Sequence, residues 1–186
     1  LGGSTFEGEE LILANVFKEL RKSHPNLFLI LVPRHHERAD SVARQLEQAG
    51  LVVMRRTKHF TEGKPDVLLV DTTGELAGWY LCATVVFVGK SLCAQGGQNP
   101  AEPIAAGVPV IFGPHMQNFS TLVRAFLHKG GAMEVKDATG IRNAVTDLLA
   151  SSNLRADMVA NAAKCLEIHR GATKKTTDLL QSRILL

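Results

Sequence analysis

This chain of 186 residues is short of several things, and each shortage removes a class of function. It has three cysteines, Cys82, Cys93 and Cys165, an odd number without the paired spacing of a metal site. That usage suits a reducing compartment better than a disulfide scaffold. No apolar run approaches the ~20 residues that a membrane-spanning helix needs. No basic run stands out and the net charge is only +3, so charge gives no support for nucleic-acid binding. Two phosphate-binding signatures are also missing. No Gly-Lys-Ser/Thr follows a glycine across four residues, as a P-loop requires, and there is no G-x-G-x-x-G dinucleotide fingerprint.

What is present is a core. Hydrophobic residues make up 45% of the chain and charged residues 21%, a balance that folds rather than stays disordered. Short apolar runs at 27–32, 51–54, 67–70, 85–88 and 108–112 alternate with segments of helical period at 9–23, 39–49, 76–80, 100–106, 118–129, 137–150 and 153–169. A last short strand is read at 132–135, and a final helix runs from Gly171 toward Leu186. Asp137 is placed to cap the helix that follows it. The segment 57–65 reads as polar loop. Such alternation predicts an α/β protein with a Rossmann-like, doubly wound parallel sheet, formed by one domain over residues 1–186. Leu1-Gly2-Gly3-Ser4 reads as a strand-to-helix turn with no strand before it, which points to a piece of a longer polypeptide.

In doubly wound sheets ligands sit beyond the carboxyl ends of the strands. The polar motifs Ser4-Thr5, Pro33-Arg34-His35, Asp71 to Glu75, Gly89-Lys90-Ser91 and Gly113-Pro114-His115 all follow strands, so five loops converge on one edge. The most telling run is Gly89 to Pro114. There the glycines Gly96 and Gly97 lead into Asn99-Pro100, with Glu102 three residues beyond the asparagine. Glycines allow close approach of the backbone to a ligand, and a helix start favours an anion. A carboxylate at Glu102 suits the vicinal hydroxyls of a ribose. Arg34 suits a phosphate or carboxylate through its planar fork, or else stands as a solvated charge at a helix start. For His35, His36 and Arg38 the solvated reading stands equally well, and adjacent histidines point apart rather than toward a shared metal. Ser4 and Thr5 serve either as caps or as phosphate donors, while Glu7, Glu9 and Glu10 complement a helix dipole. Thr73, Gly74 and Glu75 either start a helix or set their backbone against a base or sugar. Cys93 reads as a neutral loop thiol and Trp79 as packing.

Together these motifs resemble one family. Gly-Ser-Thr-x-x-Gly-Glu-Glu at 3–10, Val-Pro-Arg-His-x-Glu-Arg at 32–38 and Asp-Thr-x-Gly-Glu-Leu at 71–76 come first. Phe-Val-Gly-x-Ser-Leu at 87–92, Gly-Gly-x-Asn-x-x-Glu-Pro at 96–103, Gly-Val-Pro-Val-x-Phe-Gly-Pro-His at 107–115 and Asn118-Phe119 follow in order. The set is similar to the C-terminal half of the bacterial 3-deoxy-D-manno-octulosonic acid (Kdo) transferases, from about Gly3 to about Leu180.

The resemblance implies a GT-B glycosyltransferase acting in lipopolysaccharide assembly at the cytoplasmic face of the inner membrane. Such an enzyme inverts at the anomeric carbon without a metal, and no Asp-x-Asp occurs here. Its donor is CMP-Kdo and it needs no cofactor. The lipid A acceptor surface, the membrane association and the catalytic base would lie in an N-terminal domain that this chain lacks. By the same resemblance Ser4, Thr5 and Arg34 contact the donor phosphate or sugar acid. Thr73, Gly74 and Glu75 wall the cytosine pocket. Ser91, Gly96, Gly97 and Asn99 form the phosphate-side loop, and Glu102 takes the ribose. Lys90 departs from the family's usual Gly-Gly-Ser. Two other readings stay open: a UDP-sugar transferase or epimerase domain of the same fold, and a non-catalytic nucleotide-binding module.

Overall fold

The computed structural model describes residues 1–59, 63–167 and 177–181. Seven parallel strands form one sheet in the order β3-β4-β2-β1-β5-β6-β7. The strands are β1 (Gly2–Thr5), β2 (Leu29–Pro33), β3 (Val53–Arg55), β4 (Val67–Leu69), β5 (Val86–Val88), β6 (Val110–Phe112) and β7 (Met133–Glu134). The helices are α1 (Glu9–Leu20), α2 (Ala39–Gln48), α3 (Leu76–Tyr80), α4 (Ala101–Ala105), α5 (Ser120–His128), α6 (Ala138–Ala150) and α7 (Ser152–Glu167). The doubly wound parallel sheet expected from the alternating runs is therefore present, with helices packed on it. The expected segments at 57–65, 153–169 and from Gly171 to Leu186 extend partly outside the described residues.

Strands buried on both faces need apolar residues at every position. That is what β4, β5 and β6 have, with all of Val67–Leu69, Val86–Val88 and Val110–Phe112 buried. In β2 the two faces separate. Leu29 and Leu31 join the main core, which also holds Phe17, Leu46 and Phe126. Val32 joins a small cluster with Leu68 and Val70, on which Trp79 packs. Trp79 is thus packing, as expected. Asp137 caps α6, accepting the Gly140 N–H at 2.8 Å, and α6 packs along α1.

One sequence expectation is corrected. Gly2 to Thr5 is not a turn but a strand at the centre of the sheet, paired to β2 on one side and β5 on the other. Its glycines conceal it, because glycine is poor in strands and usually marks a close approach. Here the approach is real: a Cβ at Gly2 would lie 2.7 Å from Leu13 Cδ1 and 2.9 Å from Leu31 Cδ2. The small residue lets α1 and β2 close on β1.

The strand order positions the site. From β1 the chain winds outward through β2 and β3, inserts β4, then returns to the other flank of β1 with β5. Winding reverses between β1 and β5, and the crevice beyond their carboxyl ends is where doubly wound sheets take ligands.

Candidate functional site

At the carboxyl ends of β1 and β5 the two backbones touch. A Cβ at Gly89 would fall 2.2 Å from the Ser4 carbonyl oxygen, so only glycine fits. Ser4 and Lys90, on either side of this contact, are the described non-glycine residues with positive φ, 51° and 57°.

The loop after β5 is held from within by Glu9, the first residue of α1. Glu9 is fully buried. Its carboxylate accepts N–H groups from Phe6 at 2.8 Å, Lys90 at 2.8 Å, Ser91 at 3.0 Å and Leu92 at 3.0 Å. These successive amides form the kind of nest that elsewhere cradles a phosphate, and here a protein carboxylate fills it. Beside it the buried Glu10 accepts the Thr5 hydroxyl at 3.0 Å and both guanidinium arms of Arg38, at 2.9 and 3.1 Å. Two acids that read as dipole-complementing surface charges are thus internal anchors, and Arg38 is an ion-pair partner rather than a solvated charge. Sequence reasoning missed both. The available signal was the Glu9-Glu10 pair directly after a strand end, where a buried carboxylate finds free backbone N–H groups.

The expected site residues divide into two groups. Thr5 and Ser91, read as ligand contacts, are both fully buried. The Ser91 hydroxyl donates to the Val88 carbonyl at 2.5 Å and accepts the Gly113 N–H at 2.8 Å. With both hydroxyls already paired to protein, these side chains fix the frame and do not face the crevice. Gly96 and Gly97 are also buried. The Gly96 N–H donates to Gln117 Oε1 at 2.8 Å and its carbonyl accepts the Asn118 N–H at 3.0 Å. At Gly97, φ is 72° and a Cβ would lie 2.4 Å from the Met116 sulfur. Asn99 shapes the start of α4: its Oδ1 accepts the Ala101 N–H at 3.0 Å and its Nδ2 donates to Glu102 Oε1 at 3.0 Å.

The second group faces outward. Glu102 is exposed, with Oε2 making no protein hydrogen bond among the described residues. It lies close to the buried Tyr80, whose hydroxyl is pushed well above its ordinary pKa by burial and then by the charge of Glu102. Arg34 is exposed at the end of β2. Its N–H donates to the Thr5 carbonyl at 3.0 Å, and its guanidinium has no carboxylate partner among the described residues. Ser4 is half-buried. Lys90 rests its ammonium over the Phe6 ring, 5.2 Å from the centroid, and Phe6 meets His35 edge-on at 5.4 Å.

The loop after β4 lies beyond β2. Thr73 Oγ1 sits 3.4 Å from His36 Nδ1, Gly74 is exposed with φ 88°, and Glu75 pairs with Arg56 at 3.1 Å. Asp71 anchors this loop. It accepts the Thr57 N–H at 3.0 Å, the Thr57 hydroxyl at 2.6 Å and Arg55 Nε at 2.9 Å. Burial alone would raise its pKa, but those donors outweigh it and hold the carboxyl below its usual range.

Other chemistries find little here. Burial and then the charges of Glu9 and Glu10 push the Cys93 thiol up, away from the reactive thiolate. Among the described residues no cluster of His, Cys, Asp or Glu could hold a metal ion. No described helix is long and apolar enough to cross a membrane. A cavity of about 570 Å³ opens at the opposite, amino edge of the sheet, lined by Leu13, Phe17, Leu29, Val85 and Ile141 among others. Its walls are mostly apolar and include no lysine or arginine to meet a nucleotide's phosphate.

No family model matches the chain. Curated relatives do. A 3-deoxy-D-manno-octulosonic acid transferase of Bordetella pertussis is 39% identical over 183 residues, 96% of this chain and 43% of its own length. One of Haemophilus influenzae is 37% identical over 183 residues, 97% of this chain and 43% of its own. The chain thus spans less than half the length of these relatives. Among solved structures, the C-terminal CMP-Kdo binding domain of WaaA from Acinetobacter baumannii is 33% identical and superposes with a TM-score of 0.83, covering 89% of this chain and 86% of that one. A parallel seven-stranded domain that matches both the transferases in sequence and this C-terminal domain in sequence and shape belongs to the 3-deoxy-D-manno-octulosonic acid transferase family, in which it corresponds to the C-terminal domain.

Proposed function

We propose that this chain is the donor-binding domain of an inverting, metal-independent glycosyltransferase that moves Kdo from CMP-Kdo to a lipid A precursor. In this reading the whole enzyme works in lipopolysaccharide assembly at the cytoplasmic face of the bacterial inner membrane. The observation that carries it is the likeness, over nearly the full length of both chains, to an Acinetobacter domain described as CMP-Kdo binding.

The chemistry is coherent with the crevice at the winding reversal. As the glycosidic bond breaks, the departing CMP gains negative charge on its phosphate. A fixed guanidinium stabilises that charge where it develops, often the largest contribution to catalysis. Arg34 is given this role because it is exposed, unpaired among the described residues and tied by its backbone to the end of β1. Glu102 receives the ribose hydroxyls through its unengaged oxygen. Thr73 and Gly74 flank the cytosine, with Glu75 braced by Arg56. Gly96, Gly97 and Asn99 keep the loop close to the nucleotide, and Ser4 borders the crevice. The acceptor hydroxyl needs a general base. That base, the acceptor surface and the membrane contact are assigned to the part of the relatives outside the shared segment, so this chain by itself is expected to bind donor without transferring Kdo.

Calorimetric titration of the chain with CMP, UMP and GMP tests the donor reading. CMP is expected to bind most tightly, and a preference for UMP would favour a UDP-sugar enzyme instead. Glu102→Gln is expected to weaken CMP several-fold and to leave a 2′,3′-dideoxy analogue nearly untouched. Equal losses for both would remove Glu102 from the ribose role.

A further inference from the structure

We propose that Lys90 is a ligand-binding residue of the crevice, its ammonium taking the phosphate of the bound cytidine nucleotide; the proposal rests on the donor reading above. Three observations lead there. Lys90 lies at the winding reversal, directly beyond β5 and across the backbone contact from Ser4. Its amides' natural anion is already supplied, since the nest at 90–92 is filled by Glu9. A phosphate entering this crevice therefore cannot use those N–H groups, which turns attention to the side chains beside them. On the loop after β2 Arg38 is engaged with Glu10, and farther along the edge Arg55 pairs with Asp71 and Arg56 with Glu75. Of the lysines and arginines on the loops after β1, β2 and β5, Arg34 and Lys90 are those left without a carboxylate partner among the described residues.

The backbone of Lys90 adds a further argument. At φ 57° a side chain is strained, and glycine would hold the same turn without cost. The Lys90 N–H is pinned on the buried Glu9, so the strain is held rather than relaxed. Strained residues of this sort gather at functional sites. The ammonium meanwhile rests on the Phe6 ring, which is itself braced edge-on by His35. An aromatic face attracts a cation without neutralising it, so the charge stays available to an incoming anion.

Calorimetry on the 186-residue chain with CMP and with cytidine as probes tests this, alongside thermal unfolding. Lys90→Gly is expected to raise the dissociation constant for CMP about tenfold, leave cytidine unchanged, and keep or raise the thermal midpoint because the left-handed turn now suits its residue. Lys90→Arg is expected to retain most of the CMP affinity. If wild type prefers CMP over cytidine and Lys90→Gly does not change that preference, the lysine has no ligand role and the donor reading stands. Equal losses for CMP and cytidine, or a lowered midpoint, would make Lys90 a structural residue and overturn the proposal. If wild type binds no CMP at all, the donor reading fails and this inference falls with it.

Discussion

The loop after β5 and the loop after β2 flank the same central strand, yet they handle charge in opposite ways. In the β5 loop the amides and the Ser91 hydroxyl turn inward, and the Lys90 ammonium is left to the crevice. Three amides go to Glu9, the Ser91 hydroxyl bridges Val88 and Gly113, and Gly96 is tied to Gln117 and Asn118. In the β2 loop Arg34 turns outward without a carboxylate partner among the described residues, while Arg38, four positions on, turns inward to Glu10. The difference separates a frame from a contact surface. A glycine-rich loop can look like a phosphate cradle and be a scaffold whose cradle the protein fills itself. The anion site is then built from side chains that stand on the scaffold.

The comparison can be broken by substitution, and the largest effect falls on the frame. Glu9→Ala leaves four N–H groups without an acceptor, that of Ser91 buried and those of Phe6, Lys90 and Leu92 partly buried. A loss of about 3 kcal/mol in unfolding free energy is expected, read as a lower denaturant midpoint. A fall of a few tenths would mean that water replaces the carboxylate easily and that the loop is no frame.

The two arginines of the β2 loop sharpen the contrast. Arg38→Ala strands the Glu10 carboxylate, whose side chain is 1% exposed. It is expected to cost about 2 kcal/mol of stability, discounted because the guanidinium itself is partly solvated. Arg34→Ala is expected to change stability by no more than about 0.5 kcal/mol and to weaken CMP binding about tenfold. Arg34→Lys should recover only part, since a point charge does not reproduce a bidentate fork. Chemical denaturation and calorimetry on the same two variants separate the effects. A large stability loss in Arg34→Ala with unaltered binding would reverse the assignment.

Much of this was legible in the residues, for physical reasons that also explain what was not. Buried parallel strands carry unbroken apolar runs, so β2, β4, β5 and β6 announce themselves. The central β1 does not, because its fit against Leu13 and Leu31 requires glycine where a strand would carry valine. The convergence of loops on one edge follows from the alternation of elements and could be read directly. Whether a side chain on that edge points in or out could not. Thr5 and Ser91 look like phosphate ligands by type and position, and Glu9, Glu10 and Arg38 look like surface charges. Their directions are decided by partners distant in sequence, such as Lys90 for Glu9 and Gly113 for Ser91. Tyr80, packed near Gly3 and close to Glu102, was equally hidden.

The central claim is that Glu9 fills the amide nest and that the ligand's charge is met by side chains instead. Amide hydrogen exchange with and without CMP, read together with the Arg34 side-chain resonances, tests it most directly. The account predicts that the Lys90, Ser91 and Leu92 amides are already protected in the free chain and change little when CMP binds, while the Arg34 guanidinium signals shift. Fast exchange of those three amides in the free chain, with protection appearing only when CMP is added, would show that the nest belongs to the ligand and would contradict the account.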